Sequence, residues 1–417
     1  MKLTRRHALN MTALAGAASA IGLAPVRAAE PAPLVNLVSG AKPITPEERL
    51  TRIHLLQAAL RKAGLGAILI EPGSSLLYFT GIAWWRSERV TALVVPADGE
   101  PLVVTPFFEA PSIREMLAIP AAIRTWDEPD NPMAVVAGWL REQRLTRRGF
   151  AIEETVREFI RDGLQRQLPD LSIRSGADIV RPIRMRKSPA ELALMQLAAT
   201  ITANTMRYTA GKIERGMTPA QINAIMAEAT KRQGAEGGNG LVLLGEAAAY
   251  PHGTHQRQEV RDGDVILLDA GCTVHGYVSD ISRSFVLGEP GAELRKVWQQ
   301  VRTGQQIAFD AARPGTPCGA VDDAVRRYYE RLGYGPGYKL PGLSHRTGHG
   351  IGMDGHEPVN LVHGEKTPLD AGMCFSNEPG IYIPGQFGVR LEDCFYMTTD
   401  GPRWFTTPPT SIDHPFD

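Results

Sequence analysis

The chain reads as an α/β domain followed by a larger α+β domain made of two similar halves. Three observations carry this. Over residues 46–175, helical patterns and short apolar strands alternate. Lys187-Ser188-Pro189-Ala190-Glu191 is then a helix start, with Ser188 as cap and Pro189 in the first turn, and it puts the boundary within 176–187. Downstream, Gly216-Met217-Thr218-Pro219 and Gly315-Thr316-Pro317 each open a helix with a threonine cap, ending near Gly234 and Gly333. Strand-rich segments follow both. Two such halves related by a pseudo-twofold would leave a cleft between them. The alternative is a chance recurrence of a common capping signal. At 417 residues the chain can bury two cores.

Residues 1–28 stand apart from that plan. Arg5-Arg6 precede an Ala-rich apolar run to about Val26, and Val26-Arg27-Ala28 offers small residues for cleavage. This reads as a twin-arginine export signal, with the periplasm or the exterior as destination; the alternative is a disordered basic tail. The run is too short and weakly apolar for a membrane anchor. Its loss removes Lys2, Arg5, Arg6 and Arg27 and no acid, taking the formal charge from zero to about −4. That balance argues against nucleic acid or an anionic membrane as the main partner.

The first domain is expected over 46–180. Pro46 to Lys62 places Leu50, Ile53, Leu56 and Leu60 on one helical face. Ala67–Ile70, Ala92–Val95 and Leu102–Thr105 are apolar strands, the last two separated by a turn at Asp98-Gly99. Helices are expected at 107–117, 132–143 and 154–167, and strands at 149–152 and 171–174. No phosphate-binding glycine loop or catalytic cluster occurs here. The Trp84–Arg89 stretch is either a loop reaching a cleft or an exposed interface patch.

The second domain, 181–410, carries the chemistry. Ser344 to Pro358 holds His345, His349 and His356 among Gly348, Gly350, Gly352 and Gly355. One histidine there would be ordinary; three in a glycine-rich run suit a transition metal or a proton shuttle. Val265–Leu268 is an apolar strand ending in Asp269, and Tyr277–Val286 is a second strand carrying Asp280. Pairing 269 with 280 centres a turn between Val274 and His275 and opposes two aspartates, which repel unless a cation lies between them. Likewise, pairing Glu378 with Glu392 centres a turn at Gly385. Four carboxylates and one imidazole suit two divalent ions, Mn²⁺ or Co²⁺ first, with Zn²⁺ or Fe²⁺ as further options. Two ions roughly 3.5 Å apart would hold a bridging water and make hydroxide available near neutral pH. Cys272, Cys318, Cys374 and Cys394 form no metal-ligand spacing; Cys374 and Cys394 could be bridged, but buried thiols are the expectation.

Taken together, the run Leu267-Leu268-Asp269-Ala270-Gly271, Asp280 eleven residues on, Gly348-His349-Gly350-Ile351-Gly352, Asn377-Glu378-Pro379-Gly380-Ile381-Tyr382 and Arg390-Leu391-Glu392-Asp393 resembles the M24 metallopeptidase family. The resemblance covers about residues 180–400. A weaker match through Ser75-Leu76-Leu77-Tyr78-Phe79-Thr80-Gly81 is similar to the creatinase-like N-terminal domain of prolidase and aminopeptidase P. It implies the "pita-bread" fold, with Asp269, Asp280, His349, Glu378 and Glu392 as metal ligands and Asp280 and Glu392 spanning both ions. It implies His252 on the substrate side, His356 against the scissile amide and the tetrahedral intermediate, His345 as a further cleft histidine, and Arg390 steadying the site. Glu378 could take the proton from the bridging water. The full ligand set speaks against creatinase. The implied activity is hydrolysis between an N-terminal residue and proline, in dipeptides or longer peptides, by a homodimer or homotetramer. His255, His275 and His363 have no counterpart and are expected in loops or at the rim. Two rivals stay open: an M24-type enzyme acting on a non-peptide small molecule, such as a sulfonium lyase or C–N hydrolase, and a non-catalytic binding protein. Gly271, two residues after Asp269, stands in place of an additional acid and favours the peptidase set.

Overall fold

The computed structural model describes residues 33–416, so the stretch read as an export signal lies outside the described residues. The first half contains α1 (Pro46–Lys62), β1 (Leu65–Ile70), α2 (Ser74–Thr80), β2 (Ala92–Pro96), β3 (Leu102–Pro106), α3 (Ala110–Met116), β4 (Ala122–Trp126), α4 (Pro132–Glu142), β5 (Gly149–Ile152), α5 (Glu158–Gln167), β6 (Ile173–Ser175) and α6 (Ala177–Arg184). The strands form one sheet in the order β4-β3-β2-β1-β5-β6. The β1–β2 and β2–β3 pairs are antiparallel and the other three parallel.

Helix α1 starts where the Thr45 side chain accepts the Glu48 N–H, with Pro46 in the first turn, and Arg61 and Lys62 sit at its negative end. Strand β1 is buried at every position because helices cover both faces of the sheet. Its period of two sorts the contacts. Ile68 and Ile70 join Ile53, Leu56 and Leu60 of α1 and Ile179 and Val180 of α6. Ala67 and Leu69 join Val136 and Leu140 of α4 and Ile160 and Leu164 of α5.

Some expectations need correction. The helix expected from 154 begins at Glu158, because Glu153 first builds a turn. Its carboxylate takes the Thr155 N–H and hydroxyl, and its carbonyl takes the Val156 N–H. Helix α2 and the edge strand β4 lie in stretches without a strong apolar period, and α6 occupies most of 176–187.

The second half begins with α7 (Pro189–Ala210), α8 (Pro219–Arg232), β7 (Glu236–Leu244), β8 (Val265–Val274), β9 (Tyr277–Val278) and β10 (Ile281–Val286). The same plan then repeats: α9 (Ala292–Ala311), α10 (Cys318–Arg331), β11 (Gly348–Gly350), β12 (Glu357–Leu361), β13 (Cys374–Asn377), β14 (Gly380–Ile383), β15 (Phe387–Arg390), β16 (Asp393–Thr398) and β17 (Gly401–Trp404). Two helices precede each antiparallel sheet, ordered β10-β8-β7 and β12-β11-β13-β16-β17. Ser188 and Thr218 close capping boxes with Glu191 and Gln221. The threonine cap expected at the second copy is absent. Helix α10 starts one residue later, with Pro317 in the cap position and no capping side chain, yet α8 and α10 are both 14 residues long.

Alternation along β8 positions the site. Ile266, Leu268 and Ala270 pack on Met206 of α7 and on Ile222 and Met226 of α8. Val265 and Leu267 face the other way, into a core shared with Val297 and Val301 of α9 and Val321 and Val325 of α10. Asp269 is next on that inner face. The two sheets meet where Ser282 and Glu392 exchange backbone hydrogen bonds of 3.2 and 3.1 Å.

Candidate metal centre and cleft

Two hairpins deliver the four carboxylates, and one of them departs from expectation. Strands β8 and β10 pair Asp269 with Ser282 rather than with Asp280. The same register pairs Thr273 with Val278 and turns at His275-Gly276, where both φ angles are positive (48° and 85°). That two-residue turn of left-handed residues matches strand twist and shifts the pairing by two. Asp269 is therefore mid-strand. Asp280 sits in the break between β9 and β10, on the same face and one diagonal step away. At Gly271 the strands pinch so closely that a Cβ would lie 1.9 Å from the Ser279 carbonyl oxygen.

The second hairpin follows expectation. Asn377 pairs with Asp393 and Gly380 with Arg390, a common register that opposes Glu378 and Glu392 and turns at Gly385. Strands β13–β16 and β14–β15 separate at those two glutamates. His349 enters from β11, next to β13. A Cβ at Gly348 would lie 2.1 Å from the Ser376 carbonyl oxygen, so only glycine lets the strands approach this closely. The His349 Nδ1–H donates to the Gly350 carbonyl at 3.0 Å. Its Nε2 is left facing Glu378 at 3.4 Å and Asp280 at 3.8 Å.

His252, Asp269, Asp280, His345, His349, His356, Glu378, Arg390 and Glu392 all line one cavity of about 530 Å³, together with Arg346 and Val362. Every residue singled out as catalytic or metal-ligating is thus brought together. Three sets of donor atoms converge to within 4.8 Å: Asp280, His349 and His356; His349, Glu378 and Glu392; and Asp269, Asp280 and Glu392. His255, His275 and His363 are exposed and stay outside, His363 pairing with Asp323 at 2.7 Å.

The acids are poorly satisfied within the chain. Glu392 Oε2 accepts the Ser282 hydroxyl at 2.7 Å, but Oε1 is buried without a partner among the described residues. Burial, then neighbouring carboxylates, holds Asp280 and Glu392 well above the usual range. Burial, with Asp269 adding to it and Arg390 opposing it, pushes Glu378 up to about 7. Among the described residues one cation contacts the cluster directly: Arg390 is paired with Asp269 and donates to the Pro251 carbonyl and the Tyr382 hydroxyl, both at 3.1 Å. Four acids against one guanidinium is a donor set made for divalent cations.

The histidines differ in what they can offer. Burial, and then the charge of Arg390, presses His345 down to about 3. Its Nδ1–H donates to the Arg346 carbonyl, and its Nε2 accepts the Tyr382 hydroxyl proton, both at 2.8 Å. Burial and His356 likewise bring His349 to about 3. His356 is also lowered, by burial and then Arg346, and its Nδ1 accepts from the Arg346 guanidinium at 3.1 Å. A neutral His356 with Nδ1 accepting carries its proton on Nε2.

Ser282, Arg346 and Tyr382 escaped the sequence reading. Tyr382 lies in an apolar strand and reads as core. Arg346 lies inside the histidine run itself, and that position was the available signal. The Trp84–Arg89 stretch does not line the cavity. Trp84 packs on the first half's core and stacks on an exposed Trp85. All four cysteines are free and buried. A Cys374–Cys394 bridge is ruled out by register, since Cys394 pairs with Ser376 and Cys374 with Tyr396.

Residues 193–399 match the model of metallopeptidase family M24, and residues 52–186 match that of the creatinase/prolidase N-terminal domain. The chain is 32% identical over 366 residues to the probable dipeptidase PepE of Mycobacterium bovis, covering 87% of this chain and 95% of that one. It is 31% identical over 365 residues to the Xaa-Pro dipeptidase of Lactobacillus delbrueckii subsp. lactis, covering 84% and 95%. The crystal structure of dipeptidase PepE from Mycobacterium ulcerans superposes with a TM-score of 0.80 at 31% identity, covering 89% and 98%.

Proposed function

We propose that this chain, which belongs to metallopeptidase family M24, hydrolyses the bond between an N-terminal residue and proline with the help of two divalent ions. The observation that carries the metal part is the acid cluster lining the cavity, where, among the described residues, the buried Glu392 Oε1 has no partner and one arginine answers four carboxylates. Asp269, Asp280, His349, Glu378 and Glu392 would hold the ions, Mn²⁺ in the first place. When bound, such ions acidify water and polarise a carbonyl.

The remaining steps belong to the chain. Glu378, which lines the cavity beside the other donors, can accept a proton on its carboxylate and pass it on. His356 presents an Nε2–H with which to stabilise negative charge as the amide is attacked. His345 spends both ring nitrogens inside the protein, so it acts through Tyr382, whose hydroxyl also accepts from Arg390. Arg390 in turn anchors Asp269. His252 lines the cavity from the 250–259 loop and is free to meet substrate. The proline preference rests on the relatives' names and on its chemistry: a tertiary amide without N–H and with fixed φ is what a dedicated site can select.

The arginine pair near the N-terminus supports export to the periplasm or beyond, and fractionation of cells expressing the full chain tests it. No helix among the described residues is long and apolar enough to cross a membrane. A dimer or tetramer is proposed from the family resemblance and is checked by light scattering.

The main test uses protein loaded with Mn²⁺, a panel of Xaa-Pro dipeptides and Xaa-Pro-Yaa tripeptides, and Glu378→Ala as control. Cleavage after the first residue, lost in the variant, is expected. Two bound ions with no peptide turnover would put the substrate class in error, and a sulfonium substrate would then be tried.

A further inference from the structure

We infer that Arg184 is a positioning residue for the reaction: held by two serines of the first half, it grips the loop that carries His356 and so sets where that imidazole stands in the cleft. This deepens the peptidase reading above and rests on it.

His356 needs support from outside its own ring. The side chain is exposed and makes one hydrogen bond among the described residues, the one from Arg346. Its place therefore depends on the backbone that carries it, the connection from β11 to β12. One end of that connection is tied to β9, whose Val278 N–H donates to the Gly352 carbonyl at 2.9 Å. The rest is closed by Glu357. Its Oε1 accepts the Met353 and Asp354 N–H groups at 2.9 and 3.2 Å, which makes a ring of residues 353–357 with His356 inside it.

Arg184, the last residue of α6, fastens that ring to the first half. Its Nη2 donates to Glu357 Oε1 at 2.6 Å and to Asp354 Oδ2 at 2.9 Å, one on either side of His356 in the chain. Its Nη1 donates to the Ser74 and Ser75 hydroxyls of α2 at 3.0 and 2.8 Å. Ser74 in turn donates to Asp354 at 2.6 Å, and Met353 packs against the first half's core. The two terminal nitrogens carry four N–H donors in a rigid plane, and all four have partners, so the group admits one geometry. Packing does not fix the loop by itself. A cavity of about 250 Å³ is lined by Arg184, Asp354, His356 and Glu357, which leaves the loop room to shift.

Lys187 supplies the contrast. It meets Glu357 through Oε2, at 2.9 Å, and makes no other side-chain hydrogen bond among the described residues. Its loss leaves every bond of Oε1 in place. Loss of Arg184 releases both Asp354 and Glu357, while Lys187 still neutralises the buried Glu357 carboxylate and keeps the chain folded.

The test follows Xaa-Pro hydrolysis in the metal-loaded enzyme. Arg184→Met should lower kcat by about 10- to 100-fold with KM changed by less than about threefold, because a displaced His356 costs rate rather than binding. Arg184→Lys should recover part of the loss. Lys187→Met removes the same charge from the same carboxylate and should leave kcat unchanged. In His356→Ala enzyme, adding Arg184→Met should cost nothing further, since the arginine has nothing left to position. A second readout needs no turnover: by hydrogen–deuterium exchange the 350–358 segment should open faster in Arg184→Met than in Lys187→Met, at equal metal content. Should Arg184→Met fail to fold, Asp354→Ala, at the half-exposed end of the grip, should lower kcat by about threefold to tenfold with the same dependence on His356. Equal kcat losses in Arg184→Met and Lys187→Met, or a full additional loss in the His356→Ala background, would mean general loosening and would overturn the proposal. If no peptide is cleaved but the exchange pattern holds, the peptidase reading fails and the hold of Arg184 on the loop stands. Cleavage that is indifferent to Arg184→Met would sink the positioning role and leave the peptidase reading intact.

Discussion

Glu392 and Asp393 are consecutive, acidic and both buried, at 2% and 0% exposure, yet the chain treats them in opposite ways. Asp393 is saturated. Arg283 meets it at 2.7 and 3.2 Å, Gln305 at 3.0 Å and the Thr406 hydroxyl at 2.6 Å. Among the described residues Glu392 has one hydroxyl partner and one bare oxygen, and burial, then Asp280 and Glu378, hold its pKa up. Strand alternation sends the two side chains to opposite faces. A second contrast adjoins the cleft. Burial alone would raise Glu357, but Lys187 at 2.9 Å and Arg184 at 2.6 Å hold it at about 2. The chain gives a cation to each of these two structural acids, whereas of the four acids that face the cavity only Asp269 has one among the described residues. Such a cluster persists only if something outside the chain neutralises it.

Breaking the two sides of this contrast should give opposite signatures. Glu392→Gln should lower peptide hydrolysis by about 10³-fold or more, while the metal-free protein melts at the same temperature or higher, because a repelling charge is gone. Enzyme assays beside thermal melts in chelator check this. Arg283→Met should do the reverse. It strands Asp393 without its cation, and chemical denaturation should show a loss of about 3–5 kcal/mol with or without metal.

The same contrast predicts a pH signature. In chelated protein Glu378, Glu392 and Asp280 carry raised pKa values. The stability they contribute is complete below their unfolded values and is lost as pH rises through the folded ones, from about 4.5 to about 7 for Glu378. Glu357, with a depressed value, works the other way and loses its contribution as pH falls from about 4.5 toward about 2. The melting temperature of chelated protein should therefore fall between pH 5 and 8, and divalent metal should abolish that fall. A melting temperature that rises over this range without metal would count against the account. The smallest effect is expected for Lys187→Met. Glu357 keeps Arg184, so the loss should be about 1–3 kcal/mol by denaturant titration, with turnover per folded molecule unchanged.

Much of this was legible in the sequence, and the failures have physical causes. The Glu378–Glu392 hairpin could be located because its turn centres on Gly385 and its register runs unbroken through both strand pairs. The Asp269–Asp280 pairing was misplaced by two residues, because a left-handed His275 shares the turn with Gly276 and side-chain identity alone does not announce a histidine with positive φ. Arg283 and Asp393, or Lys187, Arg184 and Glu357, come together from segments far apart in the chain, and no local pattern reports which buried acid has a partner. For the same reason Tyr382 passed for core until its hydroxyl was seen between His345 and Arg390.

The most direct test of the unpaired cluster is metal stoichiometry. Wild-type protein exposed to excess Mn²⁺ and then desalted should retain two ions per chain by elemental analysis, and Glu392→Gln should retain fewer while remaining folded. A folded wild-type chain that retains no divalent ion under those conditions would contradict the account.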